Sequence, residues 1–259
     1  MRINNDRITV NKRKYERIKK EYDMFENQKV VGIVPTAPIY GKTDRLYNDI
    51  YKFTDTYCRR VTEAGMLPLG ILPVQERLVS SSPELCDAFL IQGGEYPRPY
   101  HMDVIDHAVK TGKKVLGICL GCQCIQSYFA VKAEAEKRRW TGSLAELYDQ
   151  LFEEGNCPFL VRVANHQKGP LLRLDPDAAK HKVILSEDSM LAKIFGRTEI
   201  MGASLHVLCI GEPAPGLTVT GRAEDGTVEA VEHGDTIIGV QFHPDVDTKL
   251  SEIFDWLAK

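Results

Sequence analysis

The chain has 259 residues, a formal net charge of −3, 43% hydrophobic residues and 27% charged residues, which is the composition of an ordinary soluble protein. This charge gives no electrostatic reason to expect nucleic acid or a membrane surface as a partner. No apolar run approaches the roughly 20 residues that span a bilayer. Residues 1–28 are polar throughout, which predicts a solvated extension and excludes a secretory signal. Seven cysteines at irregular spacing indicate free thiols in a reducing compartment, so a cytoplasmic location is expected.

Strand and helix signals alternate in the first half of the chain. Short apolar, β-branched-rich runs predict strands at 29–38, 67–73, 87–94 and 114–118. Apolar residues at helical spacing predict helices at 46–65, 102–112 and 120–131. This alternation predicts an α/β fold of three layers, with a mostly parallel central sheet and helices on both faces.

The second half is richer in strand signals and closes with a helix. Strands are predicted at 158–164, 181–185, 199–208, 217–223, 227–232 and 236–242, and a helix at 253–259. The charged segment 132–156 is predicted to be a helical insertion between the two halves. With no convincing linker, residues 29–259 are predicted to form a single domain.

Three cysteines fall within six positions in "KVLGICLGCQCI" (114–125). Such a cluster is compatible with a metal site, a redox pair or a single nucleophile. A structural zinc site needs a fourth ligand and usually a second C-x-x-C pair, which the sequence lacks. A redox pair is suggested by Cys119-x-x-Cys122 after a strand, but Gly121 and the strand–glycine approach are foreign to that motif. The third interpretation is a single nucleophile at Cys119.

The order of elements around Cys119 favours the nucleophile. "GICLG" (117–121) joins a strand to a helix, as the thiol version of the G-x-S-x-G elbow does. At the start of the helix, the macrodipole favours a thiolate at Cys119, and the N–H of Leu120 can face an oxyanion. Cys122 and Cys124 are then expected to be packing residues.

A cysteine nucleophile also requires a base and a residue that orients it. His243 ends an apolar run in "IIGVQFHPDVD" (237–247), and Pro244 stops the strand there. Asp245 lies two positions on, on the same side if the chain stays extended. His243 and Asp245 are therefore the predicted partners of Cys119.

These motifs resemble the class I glutamine amidotransferase-like superfamily, which has a flavodoxin-like fold. The superfamily marks are "GICLGCQ" (117–123) and "GVQFHPD" (239–245). Four further stretches resemble the γ-glutamyl-γ-aminobutyrate hydrolase family, a γ-glutamyl hydrolase-type family of cysteine peptidases: "VTEAGMLPLGILP" (61–73), "AFLIQGG" (88–94), "HQKGP" (166–170) and "APGLTVTGRAEDGTVEAVE" (214–232).

The resemblance implies roles for particular residues. Cys119 is the nucleophile, His243 the base and acid, Asp245 the third member, and the N–H groups of Gly94 and Leu120 form the oxyanion hole. No cofactor and no metal are implied. The residues expected to bind the substrate are Gly93, Arg98, Tyr100, Gln123, Ser204 and His206, with Arg139 a further candidate for a substrate carboxylate.

Two departures from the family bear on its site. Asp245 stands where glutamate is usual, so it must approach His243 more closely or act through water. The family's Asn-Ser-x-His-His-Gln stretch appears as "ASLHVLC" (203–209), which predicts a less polar pocket and altered specificity.

The function expected from these residues is cleavage of a γ-glutamyl amide in a small substrate through a thioester. One alternative is the glutaminase subunit of a two-chain amidotransferase, and another is a degenerate binding module without catalysis. The expected partner is the small γ-glutamyl substrate, with no nucleic acid and no membrane. A homodimer is the default expectation for the oligomeric state.

Overall fold

A computed structural model of the chain describes residues 28–37, 50–79, 81–155 and 160–259. The predicted polar extension lies almost wholly in residues 1–27, outside the described residues. Residues 46–49 of the helix predicted at 46–65 also lie outside them, and the prediction is wrong for 50–54, which are not helical; the helix begins at Asp55. None of the helices in the described ranges combines the length and apolar character that crossing a membrane requires.

The described residues form eleven strands and six α-helices. The strands are β1 (Val30–Val34), β2 (Leu67–Gly70), β3 (Ala88–Ile91), β4 (Lys114–Ile118), β5 (Leu160–Arg162), β6 (Lys180–Leu185), β7 (Glu199–Ala203), β8 (Leu208–Ile210), β9 (Thr218–Ala223), β10 (Val228–His233) and β11 (Ile237–Val240). The helices are α1 (Asp55–Glu63), α2 (Pro99–Thr111), α3 (Leu120–Arg138), α4 (Leu144–Glu153), α5 (Met190–Phe195) and α6 (Glu252–Ala258).

Nine strands form one mixed sheet in the order β2-β1-β3-β4-β11-β10-β9-β6-β7, and β5 pairs with β8 separately. The neighbours from β2 to β11 are parallel, whereas the pairings from β11 to β7 are antiparallel. The difference follows from the connections. Helix α1 connects β1 to β2, α2 connects β3 to β4, and a longer segment with a 3-10 turn at Ser82–Leu85 connects β2 to β3. Short glycine-containing turns at Gly226 and Gly234, both with positive φ, instead reverse the chain between β9, β10 and β11.

Helices cover both faces of the sheet, which confirms the predicted three-layer α/β fold. One core lies between the sheet and α2, α3 and α4, with Tyr100, Ile125 and Leu147 among its buried residues. The other lies between the sheet and α1, α5 and α6, and contains Val61 and Phe254.

Segment 132–156 differs from the prediction of a charged insertion between the two halves. Residues 132–138 continue α3, supported by an ion pair of 2.7 Å between Glu134 and Arg138 one turn apart. Residues 144–153 form α4, an amphipathic helix whose buried face includes Leu147 and Leu151. The segment therefore belongs to the helical layer on one side of the sheet.

The strands predicted at 158–164 and 199–208 also differ from the structure. Residues 158 and 159 lie outside the described residues, and of 160–164 only 160–162 are in a strand. Residues 199–208 divide into β7 and part of β8. The chain leaves β7 at Ser204, whose hydroxyl donates to the carbonyl of His166 at 2.7 Å. The N–H of Ser204 still donates to Ala179 O, but its carbonyl accepts from the N–H of Lys168, so the chain passes from the ladder with β6 to the loop at 166–168.

Candidate active site

The carboxyl ends of three neighbouring parallel strands carry the residues predicted to act together. Ile118 at the end of β4 pairs with Val240 of β11, and Ile91 of β3 pairs with Gly117. Cys119 therefore follows β4 at the same sheet edge at which the chain leads from β11 to His243 and from β3 to Gly93. Ligand sites of open α/β sheets lie at this edge.

Cys119 lies at a sharp turn between β4 and α3. Its φ of 54° and ψ of −103° fall in a region that non-glycine residues rarely adopt. Its backbone N–H donates to Val240 O at 2.8 Å, which fixes the turn to the neighbouring strand. Strained backbone of this kind is typical of functional positions and of nucleophile elbows in particular.

The glycines on either side of Cys119 allow the helix to approach the sheet. A methyl group added at Gly117 would lie 2.5 Å from the backbone of Gly121, and one added at Gly121 would collide with the carbonyl of Ile91. Neither position therefore accepts a side chain without moving the backbone. The Gly-x-Cys-x-Gly spacing is needed here for close packing.

His243 and Asp245 form the predicted pair. The Nδ1 of His243 lies 3.0 Å from Asp245 Oδ1, and both side chains are buried. Because a carboxylate can only accept a hydrogen bond, Nδ1 of His243 carries the proton. Nε2 has no hydrogen-bond partner within the described residues and is therefore the nitrogen available for proton transfer. The chain does not stay extended after His243, since Pro244–Val246 form a short 3-10 turn. That turn lets the shorter aspartate reach His243 directly.

The charges around His243 favour its protonated form. Burial by itself lowers the pKa of His243, but the negative charges of Asp245 and of a Cys119 thiolate outweigh it and raise the pKa to about 10. A protonated imidazole is the kind of group that stabilises a neighbouring thiolate.

Helix α1 supports Asp245 from the other side, which the sequence pattern did not reveal. Thr56 Oγ1 donates to Asp245 Oδ2 at 3.1 Å, and Arg60 Nε donates to the backbone carbonyl of Asp245 at 3.0 Å. Thr56 and Arg60 are four positions apart and so share one helix face. The two carboxylate oxygens of Asp245 thus each have a partner.

Tyr57 is a second residue that sequence reasoning missed. Its side chain is buried, its hydroxyl lies 3.5 Å from His243 Nδ1, and it accepts a hydrogen bond from the N–H of Gly93 at 3.0 Å. Burial, with the charges of Asp245 and Cys119, raises the pKa of Tyr57 well above its usual value, so the hydroxyl stays neutral. No sequence motif identifies Tyr57. A tyrosine among the polar residues at the start of α1 is only a weak indication of a functional position.

The paired glycines after β3 border Cys119 and His243. A methyl group at Gly93 would lie 3.0 Å from His243 Cε1 and 3.5 Å from Cys119 Cβ, so this turn touches both. Tyr57 occupies the N–H of Gly93. Within the described residues, no hydrogen bond engages the N–H of Gly94 or of Leu120. These are the two groups predicted to form the oxyanion hole.

Gln123 has the environment of a satisfied core amide. Its side chain is buried, and Nε2 donates to Leu208 O at 3.0 Å and lies 3.3 Å from Gln241 Oε1. These bonds tie α3 to β8 and to the segment after β11. They commit its amide nitrogen to the protein rather than to a substrate.

Ser204 and His206 are both buried, and the structure gives both of them protein partners. Ser204 donates to His166 O, as described above, and His206 lies beside His166, with Nε2 3.1 Å from His166 Nδ1. The two predicted substrate residues therefore belong to a separate histidine cluster.

The contacts of the remaining substrate candidates, Arg98, Tyr100 and Arg139, are with residues other than Cys119, His243 and Asp245. Tyr100 is fully buried and donates its hydroxyl to Pro35 O at 3.1 Å, and Arg98 lies 3.7 Å from the carboxylate of Glu76. Arg139 caps the far end of α3, about 30 Å along the helix from Cys119 at 1.5 Å per residue. The proposal that Arg139 meets the substrate is therefore wrong for this arrangement.

The other cysteines have no comparable setting. Cys122 and Cys124 are buried in the core, and burial raises the pKa of both thiols well above the usual value. The six cysteines in the described part of the chain, Cys119 among them, form no disulfide.

Comparison with known proteins agrees with this geometry. The family model described as Peptidase C26 matches residues 98–245, which is more than half of the chain and includes all three triad positions. A candidate glutamine amidotransferase of Schizosaccharomyces pombe is 29% identical over 211 residues, covering 73% of this chain and 73% of that protein. A candidate glutamine amidotransferase-like protein of Rickettsia prowazekii is 24% identical, covering 80% of this chain and 91% of its own length.

A solved structure supports the fold. The crystal structure of a glutamine amidotransferase from Thermotoga maritima superposes with a TM-score of 0.52 at 14% identity, covering 87% of this chain and 80% of that one. With the family match above, the chain belongs to the peptidase C26 family and is a glutamine amidotransferase-like hydrolase.

Proposed function

We propose that the protein is a thiol amidohydrolase that cleaves the γ-glutamyl amide bond of a small compound. The observation that carries the proposal is the position of Cys119, on a strained strand-to-helix turn beside the hydrogen-bonded pair of His243 and Asp245. Membership of the peptidase C26 family supports hydrolysis as the reaction class. The glutamyl group rests on the resemblance of the sequence to γ-glutamyl hydrolases.

The first half of the reaction forms a thioester. Cys119 Sγ, as the thiolate, attacks the amide carbonyl carbon, and the carbonyl oxygen takes up the negative charge. The N–H groups of Gly94 and Leu120 stabilise this oxyanion, and loss of one such donor typically costs about 2.7–4 kcal/mol of transition-state stabilisation. When the C–N bond breaks, the imidazolium of His243 gives its proton to the departing amine or ammonia.

The second half restores the enzyme. His243, now neutral, takes a proton from water, and the resulting hydroxide attacks the thioester carbonyl. Collapse of the second oxyanion expels Cys119 as a thiolate and releases the acid, and His243 is protonated again. Asp245 keeps the proton on Nδ1 throughout, and Thr56 keeps Asp245 in place.

The test is release of glutamate from a panel of glutamine, γ-glutamyl-γ-aminobutyrate, other γ-glutamyl amines and γ-glutamyl dipeptides. Release from one class of compound, abolished by Cys119→Ala, is the expected result. Cys58→Ala is the matched control, because Cys58 is a half-buried free thiol on α1 whose side chain has no hydrogen bond to His243 or Asp245 among the described residues. No release from any member, with Cys119 unreactive towards iodoacetamide, would instead indicate the non-catalytic binding module.

A second candidate is the glutaminase subunit of a two-chain amidotransferase. The names of the S. pombe and R. prowazekii relatives favour it. A glutaminase subunit would use glutamine as its substrate and would depend on a synthase partner, whereas the free-standing hydrolase would need no partner. Slow hydrolysis of glutamine alone by the isolated chain, stimulated by a synthase that copurifies with it, would select this candidate over the free-standing hydrolase.

A further inference from the structure

We propose that three histidines and one glutamate, His166, His181, His206 and Glu229, form a binding site for a divalent transition metal of the zinc class. The site is separate from the catalytic triad. It lies among β6, the bulge in β10 and two loops, and it crosslinks four segments that are distant in sequence.

Glu229 is the centre of the site. It is fully buried, and neither of its carboxylate oxygens has a hydrogen bond that meets standard geometry within the described residues. It sits where β10 has one residue more than β9, since Val228 pairs with Arg222 while Ala230 pairs with Gly221. A bulge of this kind re-aims a side chain. A buried carboxylate without such bonds requires a cationic partner.

The three imidazoles surround one oxygen of this carboxylate. Glu229 Oε1 lies 3.2 Å from His166 Nδ1, 3.4 Å from His181 Nε2 and 3.3 Å from His206 Nε2. The distance between His166 Nδ1 and His206 Nε2 is 3.1 Å. Ligands at about 2.0–2.2 Å from a tetrahedral zinc ion are roughly 3.3–3.5 Å from one another. The potential ligand atoms of His166, His181 and Glu229 lie within 4.8 Å of one another, and these three residues form the core of the site. His206 is not part of that group and joins the site through its contacts with His166 and Glu229.

The outer hydrogen bonds of two histidines leave their inner nitrogens as acceptors. His166 Nε2 lies 2.9 Å from Asp225 Oδ2, and His206 Nδ1 lies 3.1 Å from Leu208 O. Each outer partner can only accept, so each outer nitrogen carries the proton of the neutral ring. When both rings are neutral, His166 Nδ1, His206 Nε2 and Glu229 Oε1 direct lone pairs at one another, and a metal ion would satisfy them. Without a metal ion, the hydrogen bond with Glu229 raises the pKa of His166 and favours a proton in that place, which the metal ion would displace.

The same outer bonds are those expected around a metal. Histidine ligands usually donate their other N–H to a carboxylate or a backbone carbonyl, as His166 and His206 do. Asp225 is half exposed, and His181 is only partly buried, so the site is reached from this side. Four protein ligands leave no open position, which is typical of a structural site.

The site would also bear on the active site through Leu208. The carbonyl of Leu208 accepts from both His206 and Gln123, and Gln123 lies on the helix that begins after Cys119. A bound metal would therefore hold the loop of His206 and the nucleophile helix in one network.

The experiment uses the full chain, stripped of metal with a chelator and titrated with Zn²⁺ and with Co²⁺. One metal per chain by elemental analysis, a raised melting temperature and a tetrahedral cobalt spectrum without thiolate bands are expected. Glu229→Gln should abolish binding. Asp225→Asn, at a half-exposed position, keeps an oxygen for the hydrogen bond from the N–H of Thr227 and should weaken metal binding by about 10- to 100-fold.

The controls are His233→Ala, at a histidine outside the cluster, and Cys119→Ala, both of which should bind metal as the wild type does. Equal affinity in Glu229→Gln and wild type would overturn the proposal, as would binding that is lost in Cys119→Ala. Failure of the stripped wild type to bind one equivalent would overturn it as well, and circular dichroism confirms that each variant is folded.

Discussion

Replacement of Asp245 by asparagine tests how the active site holds its proton. Asparagine has nearly the same shape as aspartate. In the wild type Thr56 Oγ1 donates to Asp245 Oδ2, and in the variant the asparagine amide nitrogen can take the place of Oδ2 and donate to Thr56 Oγ1. The change therefore removes a charge while leaving the 3.0 Å contact with His243 Nδ1 geometrically possible.

The size of the effect follows from that contact. A buried hydrogen bond to a charged group contributes about 1.5–3 kcal/mol, and 1.36 kcal/mol corresponds to one pKa unit, so the imidazolium should lose roughly 1–2 pKa units of stabilisation. The pKa of His243 is raised to about 10 in the wild type. Activity needs the imidazolium, so it falls as pH rises through this pKa. In the variant that decline should move to about pH 8–9.

The assay is kcat/KM against pH for whichever compound of the panel is hydrolysed, with histidine NMR titration as a readout independent of activity. Asp247→Asn is the matched control, because Asp247 lies two residues on and pairs with Lys180 at 2.7 Å instead of with His243. If the alkaline decline falls at the same pH in wild type and Asp245→Asn, the charge of Asp245 does not hold the proton on His243 and the reasoning is refuted.

Three further substitutions test other parts of the arrangement. Tyr57→Phe removes a neutral hydrogen bond to Gly93 and should lower kcat/KM by roughly 2- to 12-fold, whereas an unchanged kcat/KM would mean that the hydroxyl does not position the glycine turn. Gly117→Ala should destabilise the fold by about 1–3 kcal/mol in urea unfolding because of overpacking against Gly121, and wild-type stability would contradict this close contact. Leu147→Ala should cost about 2–5 kcal/mol while the exposed Gln150→Ala stays near wild type; equal values would show that α4 is not part of the core.

The strands and the triad residues were predictable because their signals are local. The run at 114–118, the glycines around Cys119 and the His-Pro-Asp sequence each constrain the backbone within a few residues. Their meeting follows from the adjacency of β4 and β11, which the parallel sheet expected from the sequence makes possible. Which nitrogen of His243 carries the proton follows only from the observed contact with Asp245.

One missed element carried a readable signal. Ser143 and Glu146 match the S-x-x-E capping box, and the structure shows both of its hydrogen bonds, at 3.2 Å and 2.8 Å. The capping box predicts a helix that starts at 144, so 132–156 contains the end of one helix and the start of another. The high charge of 132–138 hid the continuation of α3, because exposed Glu–Arg pairs extend a helix beyond its apolar stretch.

The substrate residues and the histidine cluster were beyond prediction from sequence. His166, His181, His206 and Glu229 are separated by 15 or more residues and match no metal-binding spacing. Tertiary packing of β6, β10 and two loops brings them together. The same packing gives Ser204 and His206 partners in the cluster, although the resemblance had assigned them to the substrate.

The most direct test of the central proposal is the rate at which each thiol reacts with iodoacetamide at neutral pH, followed by peptide mass spectrometry. Cys119 is only 6% exposed, whereas Cys58 is more accessible, so exposure alone would favour Cys58. Activation by His243 should make Cys119 the fastest of the seven thiols, and His243→Ala should remove that advantage. If Cys119 reacts no faster than Cys58, or equally fast without His243, the proposed thiolate–imidazolium pair does not exist.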